Sequence, residues 1–281
     1  SDLEPNGNIF RPLSISTDNN NPNTRFIDTL TLPMTGTYTI VVDPWGAASG
    51  SIDITLYDVP PDVTGSIIPG GSAVTVATTV PGQDARLTFS GTAGQRVSLH
   101  ARNNSTREVT ASIQTPTGTS LGAQGQIDPG GNGFVDTRTL PTTGTYTVWL
   151  NANTTAGSMT TTLWDVPPDI TGNLTINGSA LSVPITVPGQ NGNLTFNGNA
   201  GQVVTIRLTN NTLRPAALTI RKPDDTILLQ GGTHNSTFNL PQVTLPVTGT
   251  YKIFVDAEDV WLTNGPWSPN LGTVTVSVTS P

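Results

Sequence analysis

The sequence predicts an all-β protein built from tandem jelly-roll-like antiparallel β-sandwich domains. Three observations carry this. A block of sequence recurs about once per domain length, apolar residues alternate with period two inside each recurrence, and Gly, Pro and Asn punctuate the alternation at short intervals.

The recurrence is long and regular. Leu32-Pro-Met-Thr-Gly-Thr-Tyr38, Leu140-Pro-Thr-Thr-Gly-Thr-Tyr146 and Leu245-Pro-Val-Thr-Gly-Thr-Tyr251 are copies of one segment, spaced 108 residues (32 to 140) and then 105 (140 to 245). Tyr57-Asp-Val-Pro-Pro-Asp-Val-Thr-Gly65 returns as Trp164-Asp-Val-Pro-Pro-Asp-Ile-Thr-Gly172. Val80-Pro-Gly-Gln83, Leu87-Thr-Phe89 and Ala93-Gly-Gln95 return as Val187-Pro-Gly-Gln190, Leu194-Thr-Phe196 and Ala200-Gly-Gln202. A period of this length is one whole domain rather than a solenoid unit. Residues 1–60 therefore read as a partial repeat, the back half of a sandwich, and residues 61–167 and 168–281 as full repeats. The Pro-Pro-Asp joints are short and stiff, because proline fixes φ and cannot donate to a sheet ladder.

Within a repeat, Thr145-Tyr-Thr-Val-Trp-Leu150 sends Tyr146, Val148 and Leu150 to one face and Thr145, Thr147 and Trp149 to the other. Thr37 to Val42, Thr250 to Val255 and Thr273 to Val278 follow the same scheme. The spacing predicts about eight short strands per repeat, and about four in residues 1–60: near Leu13, Phe26 to Leu32, Thr37 to Val42 and Ser51 to Tyr57. The front strands that would complete this half repeat come from upstream sequence or from another subunit, or else residues 1–60 form a self-sufficient small sheet.

Composition narrows the function. Of 281 residues, 11% are charged, about half the usual share, and 29 Gly and 23 Pro suit a turn-rich fold that solvates its surface with hydroxyls and amides. The net charge is −7 and the 12 Lys and Arg are scattered, so nucleic-acid binding has no basic stripe to rest on. There is no Cys, and no apolar run reaches the ~18 residues of a membrane span.

Motifs that suggest chemistry yield to structural readings. The three Leu-Pro-x-Thr-Gly stretches spell a sortase signal, but all occupy one repeat position before a strand, where a Pro/Gly turn is expected. The two histidines, His100 and His234, fall at non-equivalent places, no Gly-x-Ser-x-Gly occurs, and Glu258 and Asp259 are adjacent, so an enzyme is not expected.

The best candidate contact site is specific to the last repeat. Asp256 to Asn270 is longer than its counterparts after Asp43 and Asn151, and it carries Trp261, Trp267, Asp256, Glu258 and Asp259. Those residues suit a hydrophobic plug over the sandwich end or a subunit contact, a glycan stacked on tryptophan, or an oxygen-ligated Ca²⁺; no other cofactor and no other metal is expected. Tyr57 and Trp164, just before the Pro-Pro joints, are expected to pack between repeats.

The Gly-Gln-x-Val strand starts (Gly94-Gln95-Arg96-Val97 and Gly201-Gln202-Val203-Val204), the Pro223-Asp224-Asp225-Thr226 turn and the Gly-Thr-Tyr strand resemble tandem modules of very large secreted bacterial surface proteins. Each module is similar to the pre-peptidase C-terminal (PPC-like) β-sandwich domain. The resemblance implies a secreted or cell-surface accessory module for attachment or adhesion. The expected function is an extracellular structural or adhesive repeat protein, a filament subunit assembled by inter-subunit β-strand contacts. Its partners would be copies of itself, neighbouring surface proteins or glycans. The alternative is a carbohydrate-binding accessory region of a larger secreted enzyme.

Overall fold

The computed structural model describes residues 2–3, 9–11, 26–42, 49–106, 109–127, 131–152, 154–213, 215–257 and 270–281. Three short strands, β1 (Asp2–Leu3), β2 (Ile9–Arg11) and β3 (Thr39–Ile40), form an antiparallel sheet ordered β2-β1-β3. The first sandwich comprises β4 (Val63–Ser66), β5 (Val74–Ala77), β6 (Ala85–Gly91), β7 (Arg96–Arg102), β8 (Val109–Gln114), β9 (Gly125–Ile127), β10 (Gly133–Thr139), β11 (Gly144–Asn151) and β12 (Ser158–Asp165). One of its sheets is ordered β4-β6-β11-β8-β9 and the other β10-β7-β12-β5.

The second sandwich repeats this plan with β13 (Ile170–Leu174), β14 (Leu181–Ile185), β15 (Gly192–Gly198), β16 (Val203–Thr209), β17 (Ala216–Arg221), β18 (Ile227–Thr233), β19 (Phe238–Asn239), β20 (Val243–Thr244), β21 (Gly249–Asp256) and β22 (Gly272–Thr279). Its sheets run β13-β15-β21-β17-β18 and β14-β22-β16-β19, with β20 also on β16. The protein is therefore all-β, with two sandwiches of one topology in tandem.

The alternation in sequence is the burial pattern in space. Tyr146, Val148 and Leu150 of β11 are fully buried, and so are Tyr251, Ile253 and Val255 of β21. Each tyrosine stacks on the phenylalanine facing it across the ladder: Phe89 on Tyr146 with centroids 5.4 Å apart, and Phe196 on Tyr251 at 5.3 Å. The glycine two residues after each phenylalanine is a packing requirement. A Cβ on Gly91 would run into the side chain of Leu140, and one on Gly198 into that of Leu245.

The Leu-Pro-x-Thr-Gly segments are turns, held alike in each repeat. The tyrosine hydroxyl donates back across the turn, from Tyr38 to Met34 O (2.7 Å), Tyr146 to Thr142 O (2.7 Å) and Tyr251 to Val247 O (2.6 Å). In the full repeats the threonine then accepts from a neighbouring turn, Ala93 N–H on Thr143 Oγ1 and Ala200 N–H on Thr248 Oγ1.

Two features differ from the sequence expectation. First, the sheets are not wholly antiparallel: β4 pairs parallel to β6 (Val63 beside Ala85), and β13 parallel to β15 (Ile170 beside Gly192). The intervening strand, β5 or β14, lies in the opposite sheet, so the chain crosses over and returns in the same direction. With this extra strand the first sandwich has nine strands, β4 to β12, rather than about eight.

Second, residues 26–57 do not form the expected run of strands. Among the described residues there, only Thr39–Ile40 is strand. The topology supplies the reason. These residues match β10, β11 and β12, and in a complete sandwich no two of those are neighbours: β7 separates β10 from β12, and β11 lies in the other sheet between β6 and β8. A strand without a neighbour leaves its backbone N–H and C=O groups to water and gains nothing from being extended.

Candidate functional site: the joint between repeats

The site that the fold constructs most deliberately is the joint, where the end of one repeat docks on the next. Strand β10 does not run smoothly along β7. Its register shifts between Val135 and Arg138, a bulge that leaves Thr137 outside the ladder. The Thr137 hydroxyl donates to the carbonyl of Gly189 in the following repeat, at 2.6 Å. From the adjacent strand, Ser98 Oγ donates to Pro188 O at 2.7 Å. Gly189 has φ +87, and a Cβ there would collide with Thr137 Oγ1 and lie 3.0 Å from Ser98 Cβ.

The Pro-Pro-Asp linker is tied down from both sides. Arg96 donates through Nη1 to Pro167 O (2.9 Å) and through Nη2 to Asp169 Oδ1 (2.6 Å). Asp169 accepts in turn from Asn193 Nδ2 of its own repeat, at 2.7 Å. Gln190 spans the remaining gap: its Nε2 donates to Pro168 O (3.0 Å), and its Oε1 accepts from Thr186 N–H (3.0 Å). Half-buried, charge-assisted contacts of this kind contribute about 1–3 kcal/mol each, enough to hold a two-proline hinge in one orientation.

The preceding joint repeats the lock. Thr29 Oγ1 donates to Gly82 O at 2.7 Å, Gly82 has φ +85, and a Cβ there would come within 2.8 Å of Thr29 Oγ1 and 3.3 Å of Phe26 Cζ. Gln83 Nε2 donates to Pro61 O at 2.8 Å while its Oε1 accepts from Thr79 N–H. Val-Pro-Gly-Gln is thus the receptor and Phe-x-Asp-Thr (26–29 and 134–137) the plug. Sequence reasoning found the first as a repeat marker and missed the second, although its 108-residue recurrence was there to see.

A polar cluster next to the first joint also escaped the sequence. Asp84 is buried, accepting from Trp149 Nε1 (2.8 Å) and Ala152 N–H (3.1 Å). Arg86 lies over the Trp149 ring, 4.8 Å from its centroid, and pairs with Asp62 at 2.6 Å. The equivalent residues of the next repeat are Asn191, Phe254 and Asn193, so the charged version belongs to one repeat only. Burial pushes the Asp84 carboxyl up from its ordinary 3.8, outweighing its two donors. An acid raised in the folded state contributes stability below its unfolded value, and that stability is lost as pH rises through the folded one. Asp84→Asn is therefore expected to remove this loss. Urea unfolding of the first sandwich should fall less steeply with pH above 3.8 in the variant than in the wild type. Parallel pH curves would refute the assignment.

The residues singled out from sequence are placed as follows. Asp256 ends β21 and is half-buried, whereas Glu258, Asp259, Trp261 and Trp267 lie outside the described residues. Trp164 sits on β12 directly across from Ser98 of the joint, half-buried with its indole nitrogen fully covered. Tyr57 is 45% exposed. His100 pairs with Phe134 and Thr162 across its two ladders, and burial lowers its pKa; His234 is exposed in the loop before β19. The two are in different repeats, and no acid–base pair forms around either among the described residues. Asn104, which opens an Asn-Ser-Thr sequon, is buried, with Oδ1 accepting from Thr106 N–H in a tight turn. Among the described residues no group of three His, Asp or Glu could hold a metal ion, and no helix is long and apolar enough to cross a membrane.

No family model and no curated protein sequence matches the chain. Solved structures with a partial likeness include the CUB1-EGF-CUB2 domain of human MASP-1/3 (7% identity, 73% of this chain and 99% of that one, TM-score 0.23). Another is the PBSX exported protein XepA (11% identity, 74% and 86%, TM-score 0.28). Tripeptidyl peptidase 2 is similar over 75% of this chain but only 24% of its own, at 9% identity and TM-score 0.24. Likenesses at these scores carry no argument about function.

Proposed function

We propose that this chain is an extracellular structural repeat protein of a cell surface, a stiff tandem rod with an adhesive or filament-forming role, built from PPC-like modules. The observation that supports this best is the lock at both joints: the same threonine-to-glycine hydrogen bond, at the same positive φ, sets each repeat on the next. One geometry applied repeatedly generates a rod, as in other arrays where each unit touches only its neighbours. The low charge and abundant hydroxyl and amide side chains fit a surface made for contact rather than catalysis.

Negative-stain microscopy of native material checks the reading. Ordered filaments or end-on arrays with a repeat along their axis are the expected result. Dispersed, freely bent monomers at every concentration would overturn it.

A further inference from the structure

Alternate residues of β7 share one side of the sheet. Val97, Leu99 and Ala101 point into the core, so Arg96, Ser98 and His100 lie on the face that meets the next repeat. The first two hold the joint: Arg96 reaches Pro167 and Asp169, and Ser98 reaches Pro188. His100 makes no such bond. Its Nε2 is buried and has no hydrogen-bond partner among the described residues. The same holds for Nε1 of Trp164, which faces Ser98 across the ladder and is therefore diagonal to His100, within reach of an aromatic side chain.

This slot suits one protonation state. Neutral imidazole can leave Nε2 as a bare lone pair with its proton on Nδ1, whereas imidazolium carries N–H on both nitrogens and a charge as well. The walls offer that charge nothing. His100 is opposed by Phe134 on β10 and by Thr162 on β12, and its diagonal neighbours on β12 are Thr160 and Trp164, the indole being a donor only. Asp136 of β10 is exposed and turns back to accept from Thr137 N–H. The receptor turn beyond Ser98 presents Pro188 and Gly189. On β7 itself, Arg96 is already paired with Asp169, and Arg102 repels. Burial, with Arg102 adding to it, lowers the His100 pKa from its ordinary 6.5. Phe134 is also the first residue of the plug that sets Thr137 on Gly189, so one wall of the slot is part of the lock.

We propose that His100 makes the joint between the two sandwiches a pH-gated hinge: neutral, it packs against Phe134 and the lock stays closed; protonated, it leaves for water, takes Phe134 with it, and the lock opens. The direction follows from which form the closed joint holds. Above 6.5 the imidazole is neutral in either state and costs nothing; below it the open joint takes up a proton that the closed one excludes, so the lock weakens as pH falls. The rod is then stiff in neutral surroundings and flexible in acid. The counterpart of His100 in the second sandwich is Arg207, which keeps its charge throughout, so the gate belongs to this joint.

The gate rests on the locked joint of the rod reading, but the two fail separately. Backbone ¹⁵N relaxation of the full chain is followed from about pH 8 to about pH 5, the range in which histidine changes charge. A single correlation time at the upper end is expected to be lost below 6.5, replaced by separate, shorter ones for the two sandwiches, in step with the His100 imidazole signal and with both sets of amide shifts still dispersed. His100→Gln, neutral throughout, should keep the single correlation time at the acid end. Thr160→Glu, which brings a carboxylate within reach of the imidazolium, should keep it too, and does not depend on how the glutamine packs. A wild-type chain that tumbles as one body over the whole range would overturn the gate and leave the rod reading standing. So would a His100→Gln or Thr160→Glu chain that opens as the wild type does, or loss of the first sandwich's amide dispersion in place of opening. Two bodies already at the upper end would overturn the rod reading and the gate together.

Discussion

Replacing Tyr146 by alanine is expected to unfold the first sandwich well before the second. Tyr146 is completely buried, stacks on Phe89 at 5.4 Å, and closes its own turn through a 2.7 Å hydrogen bond to Thr142 O. Removing a buried aromatic ring costs about 3–5 kcal/mol in lost burial and cavity formation, and the stacked pair adds about 0.5–1.5 kcal/mol. Against a domain stability of about 5–15 kcal/mol, this takes away a large fraction. Calorimetry should show the transition of residues 61–167 lowered by roughly 15–30 °C on the usual scaling for a domain of this size. Tyr146→Phe keeps the stack and loses only the hydroxyl, so it should cost about 1 kcal/mol. The second sandwich has its own Phe196–Tyr251 core and should melt nearly where it did. If both transitions moved together by the full amount, the two cores would be one cooperative unit, contrary to the separate clusters around Tyr146 and Tyr251.

The second large effect is on shape rather than stability. Gly189→Ala is expected to release the joint while leaving both sandwiches folded. Alanine at φ +87 carries the penalty of the left-handed region, about 1–2 kcal/mol. Its Cβ would also occupy the space of the Thr137 hydroxyl. The strain is relieved by separating the repeats, which gives up the Thr137 and Ser98 hydrogen bonds. Backbone ¹⁵N relaxation should then show the two sandwiches of the variant tumbling with separate, shorter correlation times, where the wild type tumbles as one body. Thr137→Val removes one hydrogen bond without the clash and should loosen the joint less. A variant that still tumbles as a single body would mean that the Arg96 contacts to Pro167 and Asp169 hold the joint unaided.

Much of this architecture was legible in the chain. The Leu-Pro-x-Thr-Gly-Thr-Tyr copies marked turn and strand together, and the tyrosine is buried in both full repeats as its place in the alternation required. The candidate site was less legible. Thr137 looks like any exposed strand threonine until a bulge in β10 turns it outward, and Gly189 like any turn glycine until its carbonyl is seen to accept from it. The Asp84–Trp149 pair joins residues 65 positions apart, and nothing local predicts that an aspartate just before β6 meets an indole on the neighbouring strand. In the sequence Arg96 is one residue of a Gly-Gln-x-Val motif, yet its guanidinium also reaches across the joint.

Thr37 to Val42 and Thr145 to Leu150 separate the two kinds of information. Their side-chain pattern is the same, and by itself it determined that each can be a strand, which residues would face a core, and that the Tyr hydroxyl closes the turn before it; that last bond is local and forms in both. Whether the strand forms was decided elsewhere. β11 runs eight residues because β6 and β8 lie on either side of it, whereas β3 runs two, with β1 its one sheet neighbour among the described residues. Local sequence sets the direction of each side chain at little entropic cost. A β-strand, however, satisfies its backbone only through partners distant in the chain, and tertiary structure alone assigns those partners.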